Sequence, residues 1–184
     1  MNQAIVLASA SPRRREICDL LGLTYTVCPA QTELPADPSL SPEQAILQVA
    51  RGKAEEVAAR YPNAIVLGAD TAVVVDDMIL GKPRNTEEAA DMLRMLSGRS
   101  HRVITAVWVC GGGIDDGFAD AADVTFYPMT DAQIAEYVAT GEPMDKAGAY
   151  AVQGYGARHI RGINGDFYTV MGLPAGRLYR FLNR

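Results

Sequence analysis

The run Ala64-Ile65-Val66-Leu67-Gly68-Ala69 is apolar without a break and stops at Asp70. An unbroken apolar run of this length reads as a fully buried strand, of the kind that helices cover in an α/β sheet. The sequence supplies such helices. Pro12 follows two serines, and Arg13 to Leu21 reads as a helix stopped by Gly22. Ser41-Pro42-Glu43-Gln44 is a capping box with proline in the first turn, opening a helix to about Tyr61. Asn85 and Glu88 pair at the start of a helix to Leu96, and Thr130 with Gln133 opens another to about Thr140. Pro174 opens a last helix. Between them lie strands at Gln3–Ser9, Tyr25–Ala30, Thr71–Val75, Met78–Leu80 after an Asp76-Asp77 turn, Arg102–Cys110 and Val124–Tyr127. Glycines 148, 154, 156, 162 and 165 mark a loop-rich stretch. Helices and strands alternate throughout, so the class is α/β or α+β. The length of 184 residues suits a single domain over 1–184, with or without two lobes. Gly111-Gly112-Gly113 is either a boundary between lobes or a plain hairpin.

Charge narrows the partners. The chain has 17 basic and 22 acidic residues, a net charge of −5. No basic run exceeds Arg13-Arg14-Arg15, whereas a nucleic-acid binder needs a basic stripe. Only Lys53, Lys82 and Lys146 are lysines. No apolar stretch reaches the roughly 20 residues of a membrane span, and Met1-Asn2-Gln3 lacks the basic start of a signal peptide. Cys18, Cys28 and Cys110 have no metal-ligand spacing, and His101 and His159 have no partner at such spacing. The expectation is reduced cysteines in a cytoplasmic protein without a zinc site.

The candidate chemistry sits at turns. Ser9-Ala10-Ser11-Pro12-Arg13-Arg14 lies between a strand and a helix start, where backbone N–H groups and hydroxyls favour an anion. Two readings stand there: an anion site, or Ser11 as a helix cap with the arginines on a solvated face. Lys53 falls in the apolar stripe of Ile46, Val49, Ala50 and Val57, so it either snorkels or meets an anion. Asp70, at the end of the buried strand, either holds a cation or takes a proton from water, or caps a turn with Thr71. Glu33 is a second carboxylate in a loop. Gly81-Lys82-Pro83 lacks the spacing of a P-loop. Asp145 to Gly154 is glycine-rich and suits close approach of backbone to a ligand. Scattered carboxylates with Lys and Arg at turns fit metal-assisted phosphate chemistry.

At these same residues the chain resembles the Maf family of nucleoside triphosphate pyrophosphatases. The similar segments are Leu7 to Arg14 (LASASPRR), Leu67 to Thr71 (LGADT), Gly81-Lys82-Pro83, Met92 to Gly98 (MLRMLSG), His101 to Val107 (HRVITAV), Gly141 to Tyr150 (GEPMDKAGAY) and Val170 to Pro174 (VMGLP). They run in order across nearly the whole chain. The resemblance implies hydrolysis between the α- and β-phosphates of a nucleoside triphosphate, with Mg2+ or Mn2+. It implies Asp70 as general base with Glu33 at the metal, Lys53 and Lys82 on phosphates, and Ser9, Arg13 and Arg14 holding the triphosphate. Ala69-Asp70-Thr71 and Gly148-Ala149-Tyr150 with Gln153 resemble the dTTP/UTP subfamily, in which the positions matching Arg13, Thr71 and Gln153 set base choice. The acidic residue usual before Glu33 is replaced by Thr32. The implied fold is an elongated, curved mixed sheet with helices and two lobes around a cleft, like inosine triphosphate pyrophosphatase. A homodimer is implied. The alternative is a nucleotide-binding regulator of cell division with incidental hydrolysis.

Overall fold

The structure is a computed structural model and describes residues 4–32 and 35–184. Its centre is a seven-stranded mixed sheet in the order β2-β1-β3-β5-β6-β7, with β4 paired to β3. The strands are β1 (Ile5–Leu7), β2 (Tyr25–Val27), β3 (Ile65–Val75), β4 (Met78–Leu80), β5 (Ser100–Gly111), β6 (Ile114–Phe126) and β7 (Ile160–Asn164). The helices are α1 (Pro12–Leu20), α2 (Pro42–Ala58), α3 (Thr86–Leu96), α4 (Asp131–Ala139), α5 (Phe167–Met171) and α6 (Ala175–Leu182). The class expected from the alternation holds.

The capping chemistry sets the helix starts. Ser41 and Gln44 form both bonds of a capping box, as do Thr130 and Gln133. Asn85 Oδ1 accepts from Glu88 N–H at 2.8 Å, but the Glu88 carboxylate turns away to Arg84 instead of closing the box. α2 stops at Ala58, short of the expected Tyr61, because residues 59 and 60 continue as a turn. The apolar run and the extended stretch expected at Thr71–Val75 form one strand. The strand continues past Asp70 to Val75, then turns at Asp76 and Asp77, both at positive φ (48° and 62°), into β4.

Two elements depart from the expectation. β6 runs from Ile114 to Phe126, where only 124–127 was expected to be strand. Asp115, Asp116, Gly117, Asp120 and Asp123 hide it, since these residues are poor strand formers. Gly117 is required in it: a Cβ there would lie 2.5 Å from Trp108 Cε3 and Val107 O. The second departure is Gly111-Gly112-Gly113, all at positive φ, which is the tight link between neighbouring strands β5 and β6 and not a boundary.

The chain divides into two compact units elsewhere. Unit 1 comprises residues 1–71, 105–120 and 172–184; unit 2 comprises 72–104 and 121–171. Three of the four divisions fall within β3, β5 and β6, and the fourth between α5 and α6. Unit 1 has a core of Val6, Ala8, Ala54, Val57, Ala64 and Val66. Unit 2 has its own, around Val73, Leu93, Leu96, Val103, Phe126 and Tyr137. Among the described residues, no helix is long and apolar enough to cross a membrane.

Candidate functional site

In unit 1, β1 pairs in parallel with β2 on one side and β3 on the other, with Leu7 opposite both Val27 and Leu67. The strand order 2-1-3 makes β1/β3 a point where the chain reverses direction across the sheet. In open α/β sheets, ligands bind outside the carboxyl ends of strands at such points. The residues that follow β1 are Ala8 and Ser9, and Asp70 lies three residues beyond Leu67 on β3. Ala8 N–H donates to Leu67 O at 2.8 Å, so the end of β1 lies against β3 a few residues before Asp70.

α2 lies hard against β3. A Cβ on Gly68 would sit 2.3 Å from Ala50 O and 2.8 Å from Ala54 Cβ, so only glycine fits. That close contact brings Lys53, one residue before Ala54, onto the middle of β3. Lys53 Nζ donates to Asp70 Oδ1 at 2.5 Å, with both side chains mostly buried (15% and 21% exposed). Lys53 therefore meets an anion rather than snorkelling, and that anion is Asp70.

The turn after β1 is built around Arg14. Its Nε donates to Gly172 O at 2.8 Å, one terminal nitrogen to Ser9 Oγ at 3.0 Å, and the other to Thr71 Oγ1 at 3.1 Å. Thr71 Oγ1 also lies 2.9 Å from Thr105 Oγ1, which is fully buried. Burial lowers the Arg14 pKa from its ordinary value, and the nearby Asp70 charge opposes the change. Arg14 is thus an internal strut, not part of a solvated face. Ser11 occupies the N-cap of α1, but its side chain makes no capping bond; its N–H donates to Ser9 Oγ at 3.3 Å. Helix-capping therefore does not account for Ser11. Arg13 is half-buried beside it.

Lys82 and Gln153 belong to unit 2, and both are exposed. Gly81 O accepts from Gly148 N–H at 3.0 Å, which ties the Gly-Lys-Pro turn to the glycine-rich segment. Gly148 has φ +66° and no room for a side chain, since a Cβ would lie 2.7 Å from a Val73 methyl. The residues that hold the backbone on either side of Gln153, Tyr137 and Glu142, escaped the sequence reading. Glu142 accepts from Tyr137 OH at 2.7 Å, Tyr155 N–H at 2.9 Å and Gly156 N–H at 2.9 Å. Burial alone would raise the Glu142 pKa, but these donors outweigh it and hold the group below its ordinary value. The signal available was Glu142 inside the GEPMDKAGAY segment; nothing in the spacing linked it to Gln153. Glu33 lies outside the described residues.

Among the described residues, no three His, Cys, Asp or Glu side chains gather as a metal cage. Magnesium does not need one: it keeps several waters and is held by one or two carboxylates plus substrate phosphates. Asp70 lies within β3 rather than at its end as expected, and as a hard oxygen donor it fits that mode.

The fold matches that of the Ham1 protein of Staphylococcus aureus, with a TM-score of 0.51, 15% identity and 98% of each chain covered. A nucleoside-triphosphatase / dITP/XTP pyrophosphatase from Mycobacterium abscessus gives a TM-score of 0.52 at 15% identity, covering 98% of this chain and 94% of that one. The fold class is therefore shared with these proteins. Residues 4–184 match the family described as Maf-like protein, and the chain belongs to it. Among its relatives is a protein of Bacillus velezensis named dTTP/UTP pyrophosphatase, 48% identical over 99% of this chain and 96% of its own length. Relatives of the same name occur in Symbiobacterium thermophilum, 46% identical over 99% of this chain and 94% of its own, and in Koribacter versatilis, 44% identical over 100% and 95%.

Proposed function

We propose that this chain is a nucleoside triphosphate pyrophosphatase acting on dTTP and UTP. The observation that carries the reading is the Lys53–Asp70 pair on β3, just past the stretch that pairs with β1, in a chain whose relatives carry that name over nearly their full length. Water attacks the α-phosphorus, the bond to the bridging oxygen of the β-phosphate breaks, and pyrophosphate leaves with that oxygen. Asp70 takes the proton of the attacking water, and Lys53 fixes the carboxylate that does so. Ser9 and Arg13, at the start of α1, meet phosphate oxygens, Arg13 through its forked donors. Arg14 supports them by holding Ser9 and Thr71. Lys82 meets phosphate as a point charge. Gln153 reads the base edge through its amide, which carries one acceptor and two donors.

A divalent cation, Mg2+ or Mn2+, fits Asp70, with Glu33 as a second candidate ligand. When bound it supplies charge neutralisation on the phosphates.

The test is a panel of nucleotides with Mg2+ or Mn2+. UMP or dTMP should appear together with pyrophosphate. Release of orthophosphate and a nucleoside diphosphate would overturn the reaction. Asp70→Asn should fold and lose at least about a hundredfold of turnover; a fully active Asp70→Asn would remove Asp70 from the mechanism.

A further inference from the structure

The segment 151–156 is pinned at both ends by two side chains that take no part in the chemistry proposed above. Tyr137, on α4, is 1% exposed. Its hydroxyl accepts from Ala151 N–H at 3.1 Å and donates to Glu142 Oε1 at 2.7 Å. Glu142 in turn accepts Gly156 N–H on Oε1 and Tyr155 N–H on Oε2, both at 2.9 Å. The backbone between passes directly over the carboxylate: a Cβ on Gly154 would lie 1.9 Å from Oε2. Lys146 Nζ donates to the Glu142 backbone carbonyl at 3.1 Å and pairs with Asp145, which steadies the turn bearing the carboxylate.

This is more than a connection requires. A surface loop satisfies its N–H groups with water at little cost. Here three successive structural demands (a buried hydroxyl, a carboxylate with three donors, and a glycine without space) converge on six residues. Val152 is buried, so the one long polar side chain left outward between the two pins is Gln153.

A primary amide has a particular need for such a mount. Uracil presents a carbonyl acceptor beside an N–H donor, and cytosine presents an amino donor beside a ring-nitrogen acceptor. A glutamine amide satisfies either one by turning over. Turning over is a rotation about its own terminal bond, so the backbone beneath it sets where the amide sits against the base edge; selection by distance and angle needs that seat held to within about 0.5 Å.

We propose that Tyr137 and Glu142 are positioning residues for nucleobase selection, acting on Gln153 through the pinned segment 151–156. The proposal rests on the reading of Gln153 as the base contact and assigns to that site the two residues that set its selectivity.

The experiment compares wild type, Tyr137→Phe and Glu142→Gln in three measurements. These are kcat and KM for UTP and CTP, amide exchange at Ala151, Tyr155 and Gly156, and thermal unfolding. Each variant should expose the amides it unpins. The UTP-over-CTP ratio of kcat/KM should fall about tenfold, mostly through KM. Gln153→Ala added to either variant should lower the ratio no further than Gln153→Ala alone, because all three act through one contact. A merely structural role lowers the unfolding temperature and leaves the ratio unchanged. Faster amide exchange with an unchanged ratio overturns the proposal, as does full additivity with Gln153→Ala. If Glu142→Gln does not fold, Tyr137→Phe decides alone. Calorimetric binding of UTP and CTP to the same set on an Asp70→Asn background needs no turnover. A wild type that prefers UTP in binding but does not hydrolyse it sinks the assigned reaction and leaves the latch standing.

Discussion

Gly68→Ala asks whether the contact between α2 and β3 sets the Lys53–Asp70 pair. The new Cβ would lie 2.3 Å from Ala50 O, 2.7 Å from Ala54 N and 2.8 Å from Ala54 Cβ. Two of these atoms are backbone, so no rotamer change makes room. Relief to ordinary contact, near 3.5 Å, needs a retreat of α2 by about 1 Å. Overpacking of this kind costs about 1–3 kcal/mol, which lowers Tm by roughly 3–10 °C in a chain of this size. Lys53 rides on the same turn of helix. A shift of that size takes its 2.5 Å bond to Asp70 beyond hydrogen-bond range. Misplacement of a catalytic group by about 1 Å costs on the order of a hundredfold in rate. Thermal unfolding and turnover of saturating UTP measure the two effects on one preparation. Gly176→Ala, in α6, is the control, because a Cβ there meets nothing within 4 Å. It should raise stability by up to about 1 kcal/mol, as alanine does in a helix, and leave turnover alone. A Gly68→Ala protein with wild-type Tm and wild-type turnover would refute the claim that close packing at Gly68 places the pair.

Two further outcomes follow from buried polar groups. His101 is 3% exposed, its pKa lowered by burial from 6.5 to about 4, and its Nδ1 has no partner while Nε2 meets Tyr150 OH at 2.8 Å. The folded state therefore favours the neutral ring. That stability is present above about pH 6.5 and is lost as pH falls toward 4, by roughly 3 kcal/mol in all. Urea unfolding midpoints between pH 7 and 4.5 should fall accordingly, and His101→Gln should flatten the slope; equal slopes would refute the assignment. Arg14→Lys replaces a fork of three aimed donors with one compact ammonium, which cannot reach Gly172 O, Ser9 Oγ and Thr71 Oγ1 together. It should lose about 2 kcal/mol in urea unfolding, and an unchanged midpoint would mean that the strut carries no load.

The parts of the fold legible in the sequence are those in which one local rule decides. Capping boxes at Ser41 and Thr130 fix helix starts because donors and acceptors lie three residues apart. The stripe on α2 placed Lys53 inward because helix periodicity alone sets that face. β6 was not legible past its last residues: its pattern of Asp and Gly is explained by pairing with β5 at Gly117, a contact set by residues elsewhere in the chain. The same holds at the site. Asp70 stood out at the end of an apolar run, and Lys53 stood out in its stripe, but nothing local said that they pair. Glu142 could not be read at all, since its meaning lies in the N–H groups of Tyr155 and Gly156, thirteen and fourteen residues away.

The ordered motifs gain their meaning from the same contacts. Taken singly, each is a short piece of strand, helix or turn of a kind that many proteins contain. In space they are partners. Arg14 of the first motif is bonded to Thr71 of the second and Gly172 of the last, all within unit 1. Thr105 of the HRVITAV segment continues that network through Thr71. In unit 2, Gly81 of Gly-Lys-Pro accepts from Gly148 of the DKAGAY segment, and His101 meets Tyr150 of the same segment. A substitution in one member is thus felt by its partner up to 158 residues away. The physical unit is the pair, so losing Gly148 disturbs the mount of the Lys82 turn even with Lys82 intact.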